Sequence, residues 1–197
     1  SSDVGVNMQL LIAGLVLWWG AHVFKRLLPA QRVALAGKLG QGPAKGVVAA
    51  TLLIAVVLMV LGYRQMDFIA VYQPIRGIGH LAVLLMYIAV FLTGVGAVGG
   101  RLFSNLRHPM LTGGILWAFA HLLVNGDLAS ILLFGGIGLW AGAQMLLINR
   151  SEGAWERPAA GSVRKDVKLA VISLVIYGVI VGVHFALGHN PFLGTYS

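Results

Sequence analysis

The sequence predicts an all-α fold, an integral membrane bundle of six transmembrane helices. Three observations predict it. Charged residues make up 10% of the 197 residues and apolar ones 58%, with a mean hydropathy of +0.88. A soluble domain carries about a quarter charged residues, so a water-soluble globule is excluded. Six apolar stretches approach the roughly 20 residues a helix needs to cross a hydrocarbon core about 30 Å thick. The basic residues sort into alternate connections between those stretches.

The first span covers residues 6–27, with its apolar run ending at Val23. No basic segment precedes it and Lys25 and Arg26 follow it, so it reads as a retained helix and not a signal peptide. The second span is 46–62, the third 78–99 and the fourth 110–125, which is short for a crossing. The fifth is 128–148 and the sixth 169–188. Up to Val23 in the first span, and throughout the other five, the apolar runs contain no Asp, Glu, Lys or Arg. The chain reads as one transmembrane domain over 1–197.

Lys25, Arg26, Arg32, Lys38 and Lys45 lie between spans one and two. Arg101 and Arg107 lie between three and four, and Arg150, Arg157, Arg164, Lys165 and Lys168 between five and six. Only Arg64 and Arg76 fall on the other side. The positive-inside rule puts the larger set in the cytoplasm and both termini outside. The net charge of +8 is thereby explained by topology in a lipid bilayer, with no nucleic acid partner. The absence of cysteine excludes disulfides, thiolate metal sites, iron–sulfur clusters and covalent haem attachment.

The connections carry their own expectations. The segment 64–76 holds Met66, Phe68, Ile69, Val71 and Tyr72 among polar residues, which suits either a short amphipathic piece in the outer interface or a solvated loop. In Asn125-Gly126-Asp127, a left-handed Gly126 would end one helix and Asp127 would cap the next. The glycine pairs Gly96 and Gly100, Gly138 and Gly142, and Gly178 and Gly182 predict close helix approach.

Ionisable groups inside a membrane are costly and usually functional, and here the only ones in the apolar runs are histidines. His22 is late in span one, His80 starts span three, His121 lies in span four and His184 is late in span six. His108 precedes Pro109 at the entry to span four. Neutral imidazole ligates haem iron, copper, zinc or non-haem iron. A carboxylate-bridged di-iron centre needs acids that the spans lack. Two facing histidines, an apolar slot and nearby cations suit a non-covalent b-type haem. In span four, Gly114, Trp117, His121 and Asn125 share a stripe, and in span one Trp18 and His22 do. Trp140 and Gln144 stack likewise in span five. Arg107 beside the helix start at Pro109 makes an anion-attracting spot suited to a propionate, a lipid phosphate or a carboxylate.

The run Arg107-His108-Pro109-Met110, followed by Gly113, Trp117, Ala120 through Asp127 and Leu133-Phe134-Gly135, resembles the NnrU family. Gly20-Ala21-His22 resembles the start of that family. The resemblance implies a bacterial inner-membrane protein linked to nitrite and nitric oxide reduction. It also implies similarity to the plant zeta-carotene isomerase, which uses a bis-histidine b-type haem to isomerise a cis double bond. Carried over by position, its ligands fall on His22 and His121, with His80, His184 and His108 as alternatives. Trp18, Arg107, Trp117 and Asn125 are the candidates for the pocket or the propionates. Depth tells against the carried-over pair. His22 lies about 21 Å below Met8, and His121 about 17 Å from the cytoplasmic end of its helix. Depth instead favours pairing among His80, His121 and His184.

The implied activity is isomerisation of a polyene or isoprenoid, or haem and electron handling for a denitrification reductase. The Arg-His-Pro element also resembles isoprenylcysteine-type membrane methyltransferases, although their Glu- and Tyr-rich segment has no counterpart here. A cofactor-free structural subunit is the remaining reading.

Overall fold

The structure is a computed structural model and describes residues 2–192. Seven α-helices follow one another: α1 Ser2–Leu27, α2 Pro29–Leu39, α3 Gln41–Gln65, α4 Gly79–Val98, α5 Pro109–Val124, α6 Leu128–Glu152 and α7 Val163–Ala186. Five of them, α1, α3, α4, α6 and α7, are long and apolar enough to cross a membrane. The sixth stretch expected to cross is α5, a shorter apolar helix whose 16 residues reach about 24 Å at 1.5 Å each. The helices pack in the spatial order α3, α1, α6, α5, α4, α7, so α6 stands between α1 and α5. For orientation, the end carrying Arg26, Arg107 and Arg150 is called the basic end.

The packing is that of a membrane bundle. Eight of the buried apolar residues are alanines, among them Ala55, Ala89, Ala118 and Ala141, whereas Val16, Leu53, Leu139 and Val175 point outward. Lipid tails solvate large apolar side chains, so helix contact is won by small residues that let backbones approach. Gly62 shows it best, since a Cβ there would sit 2.5 Å from the backbone nitrogen of Leu11. Of the glycine pairs, Gly138 packs against Ala118, but Gly178 and Gly182 have nothing within 4 Å. The packing expectation therefore fails for that pair, because α7 packs chiefly on α4 and turns those glycines outward.

Three features of the basic end were not foreseen. The first connection contains α2, which starts with Pro29 in its first turn and buries no residue. Helix α3 begins at Gln41, so Lys45 lies inside it. Helix α7 begins at Val163 and takes in Asp166, which is 7% exposed. Asp166 accepts hydrogen bonds from the backbone N–H groups of Arg101 at 2.9 Å and Leu102 at 3.2 Å. It thus ties α7 to the 3-10 turn Leu102–Asn105 that leads into α5. Losing a charged acceptor from two part-buried donors costs about 1.5–3 kcal/mol at most. Asp166→Ala is expected to lower the thermal unfolding midpoint accordingly, while Asp166→Asn, which keeps one carbonyl acceptor, recovers part of it.

The opposite end is closed by a strap. The segment after α3 is extended and exposed over residues 67–73, as a solvated loop would be, but it is pinned to the α5–α6 junction by backbone hydrogen bonds that neither expectation included. Ala70 bridges Asp127. Leu128 N–H donates to the Ile69 carbonyl at 2.8 Å, and Val71 and Tyr72 N–H both donate to the Gly126 carbonyl at 2.8 and 3.0 Å. The Tyr72 phenol reaches the Leu122 and Asn125 carbonyls, the latter at 2.7 Å, and its single proton serves one at a time. Burial, then the Asp127 charge, push this phenol above its ordinary value, so it remains a donor. Asp127 caps α6 as expected, accepting from Ser130 N–H at 3.1 Å and Ser130 O–H at 2.6 Å. Gly126 is not left-handed; the positive-φ glycines are 40, 77, 99, 153 and 188. Its place is explained instead by the Tyr72 carbonyl, which lies where a Cβ would be.

Candidate functional site

Pro109 occupies the first turn of α5, and the residue before it, His108, is outside helical geometry at φ −128° and ψ 61°. From that start the α5 stripe carries Trp117, His121 and Asn125 up one face. The His121 Nδ1 lies 2.8 Å from the Trp117 carbonyl. A carbonyl only accepts, so the proton is on Nδ1 and the lone pair on Nε2. His22 makes the same bond to the Trp18 carbonyl at 2.9 Å, and His184 to the Ile180 carbonyl at 2.8 Å. A backbone carbonyl on one ring nitrogen is the usual orientation of a metal-ligating histidine. Three histidines in the apolar helices therefore carry their lone pair on Nε2.

The structure brings two of them together. His121 and His184 have ring centroids 6.4 Å apart at an interplanar angle of 30°. Phe134 of α6 stacks on His121 at 4.4 Å and 14°, and Trp117 lies 5.0 Å from His121 and 4.9 Å from Phe134. Asn125 donates its side-chain N–H to the His121 carbonyl at 2.9 Å, holding the last turn of α5. Behind Phe134 is Tyr63 of α3, 6.2 Å away. Its phenol is 3.1 Å from the hydroxyl of Ser130, which is fully buried.

His22 sits elsewhere. Its ring is 4.3 Å from Trp18 and 4.5 Å from Trp140. Phe134 and Trp140 mark the two histidines' positions on α6. Six residues separate them, about 9 Å along the axis and about 120° around it. His22 and His121 therefore meet different faces of α6 at different depths, which is the depth mismatch expected from the sequence. His80 is exposed at the start of α4. His108 lies at the basic end, with Nε2 2.7 Å from Asn149 Oδ1, and Arg107 donates to the Gly153 carbonyl at 2.8 Å. These two, with the Arg26–Glu152 ion pair at 2.5 Å, clasp the end of α6 about 18 Å down α5 from His121. A cavity of about 330 Å³ opens there between α4 and α5, lined by Thr93, Gly96, Phe103, Arg107, His108 and Pro109 among others.

Phe134, Tyr63 and Ser130 are site residues that sequence reasoning missed. Phe134 lies within the Leu133-Phe134-Gly135 run, and Tyr63, just past the second span, is the lone phenol of α3. Neither carries a helical spacing to the histidines, because the contacts are between helices. Among the described residues no three His, Cys, Asp or Glu side chains gather as a metal cluster. A histidine pair suffices where a macrocycle supplies the remaining donors.

Fold and site together define a polytopic α-helical membrane protein with paired imidazoles between its helices. Residues 10–191 match the family described as NnrU protein. The chain belongs to the NnrU family. No curated protein and no solved structure matches it.

Proposed function

We propose that the chain is a bacterial inner-membrane protein that carries a non-covalent b-type haem and isomerises a cis double bond in a polyene or isoprenoid. The basic end faces the cytoplasm and both termini face the periplasm, as the positive-inside rule requires. The observation that carries this reading is the His121–His184 pair, two Nε2 lone pairs held ready in an apolar setting. The donor set fits the group: two neutral imidazoles, each braced by a backbone carbonyl, with no thiolate in the chain.

His121 is the first ligand in this proposal and His184 its partner. The family resemblance implies His22 in the second role. When bound, haem iron would supply a redox-sensitive electrophilic centre beside these histidines. The chain's own part is to hold and shield it. Trp117 and Phe134 wall one side of His121, and the carbonyl of Trp117 fixes the ring's tautomer. The outward apolar faces of α5 and α7, with Phe119, Val179 and Val183, let a hydrocarbon substrate arrive from the bilayer.

The test is the visible spectrum of the purified full chain, oxidised and reduced, followed by incubation of both forms with a cis-polyene. A b-type spectrum with isomerisation by the reduced form is expected. A colourless protein after expression with ample haem would sink the proposal.

A further inference from the structure

Five buried side-chain polar atoms have no hydrogen-bond partner among the described residues, and three of them lie in one place. Trp18 Nε1, Trp140 Nε1 and Gln144 Oε1 surround His22 in the seam between α1 and α6. Trp18 and Trp140 meet edge to face at 5.2 Å, with His22 tilted against both. Gln144 stands one turn beyond Trp140, and its amide nitrogen lies 3.5 Å from the His22 carbonyl. Trp140 is 9% exposed, so its N–H is out of reach of bulk solvent. Buried donors and acceptors are ordinarily satisfied, and each one left unmet is costly. By contrast Trp19, the next residue of α1, has its N–H met by the Gly136 carbonyl at 3.0 Å.

The unmet groups have a definite chemistry. Two indole N–H groups can only donate and Gln144 Oε1 can only accept; beside them, His22 Nε2 is a further acceptor, because its Nδ1 proton is held by the Trp18 carbonyl. Three aromatic rings line the same place. There is no charged group in the cluster itself, and Arg26, one turn below, is engaged with Glu152. The matching ligand is neutral, flat and conjugated, with an oxygen at each end of the ring, and it reaches the seam from the lipid. We propose that this seam binds the head group of a membrane quinone. The oxidised ring offers two carbonyl oxygens to the indole N–H groups of Trp18 and Trp140. The reduced ring offers two hydroxyl protons to His22 Nε2 and Gln144 Oε1. An isoprenoid tail leaves along the outward face of α1, beside Val16. The inference rests on the reading in which His184, not His22, is the partner of His121, which leaves His22 Nε2 to the seam on the other face of α6.

The experiment is calorimetric titration of the purified full chain in detergent. The probes are a benzoquinone bearing one isoprene unit, its hydroquinone, and an analogue with the same tail and a single ring oxygen. Saturable binding of the quinone and the hydroquinone is expected, with the one-oxygen analogue about tenfold weaker. One lost hydrogen bond corresponds to a change of about that size. Trp140→Phe should weaken the quinone more than the hydroquinone, and Gln144→Met should do the reverse. That opposition within each variant is read even if overall stability falls, and His22 is left in place throughout. No saturable binding, equal binding of the one-oxygen analogue, or affinities unmoved by both substitutions would overturn the assignment.

Discussion

His121→Ala in the full chain is expected to abolish the Soret band of the purified protein, the largest single effect in the molecule. His121 is the histidine common to the family resemblance and to the geometry. Its Nε2 is made available by the Trp117 carbonyl on Nδ1, and its ring is fixed between Phe134 and His184. Alanine removes the ligand and leaves the apolar slot. The second ligand is read from the same series. If the pair in contact is the ligating pair, His184→Ala converts a six-coordinate low-spin spectrum to a five-coordinate high-spin one, and His22→Ala leaves it unchanged. The reverse result would restore His22 as the partner and require α6 to move relative to α1 and α5. A Soret band untouched by His121→Ala would defeat the haem assignment at this site. Thermal unfolding of each variant separates lost ligation from lost fold.

The second large effect is expected at Gly126. Its Cβ position is occupied by the Tyr72 carbonyl, a backbone atom that moves only if the strap moves. Overpacking of this kind costs about 1–3 kcal/mol. Displacing the strap also breaks the bonds from Val71 and Tyr72 to Gly126 and from Leu128 to Ile69, each worth about 1 kcal/mol. Gly126→Ala is therefore expected to release the segment between α3 and α4 from the α5–α6 hairpin. Limited trypsin digestion of the protein in vesicles, cutting after Arg64 or Arg76, should accelerate severalfold. Gly135→Ala is the control, since nothing lies within 4 Å of its Cβ position and alanine favours a helix. Equal digestion of the two variants would show that the strap does not depend on Gly126.

The segment between α3 and α4 shows why some elements were legible in the sequence and others were not. Its apolar residues among polar ones suit an amphipathic piece, but what organises it is hydrogen bonding to residues more than fifty positions away. No local pattern encodes that partner. The Asp127 cap was legible because a cap is local, three residues from its donor. Gly126 was marked as special for the wrong reason. Glycine at a helix junction suggests left-handed backbone, whereas here the need is for space beside another chain segment. Asp166 was missed because an acid close to three basic residues reads as a solvated charge. Its partners are backbone N–H groups on the far connection, and backbone carries no sequence signal.

The sequence by itself determined that the chain is a membrane bundle, where its apolar helices lie, which end is basic, and that histidines stand within the apolar runs. These follow from transfer free energies and helix geometry, which act residue by residue. The tertiary structure alone decided which histidines meet. Placing α6 between α1 and α5 put His22 among indoles and His121 against His184. Helix order and rotation in a bilayer are set by the close fit of small residues between helices, and that fit is a property of pairs of surfaces.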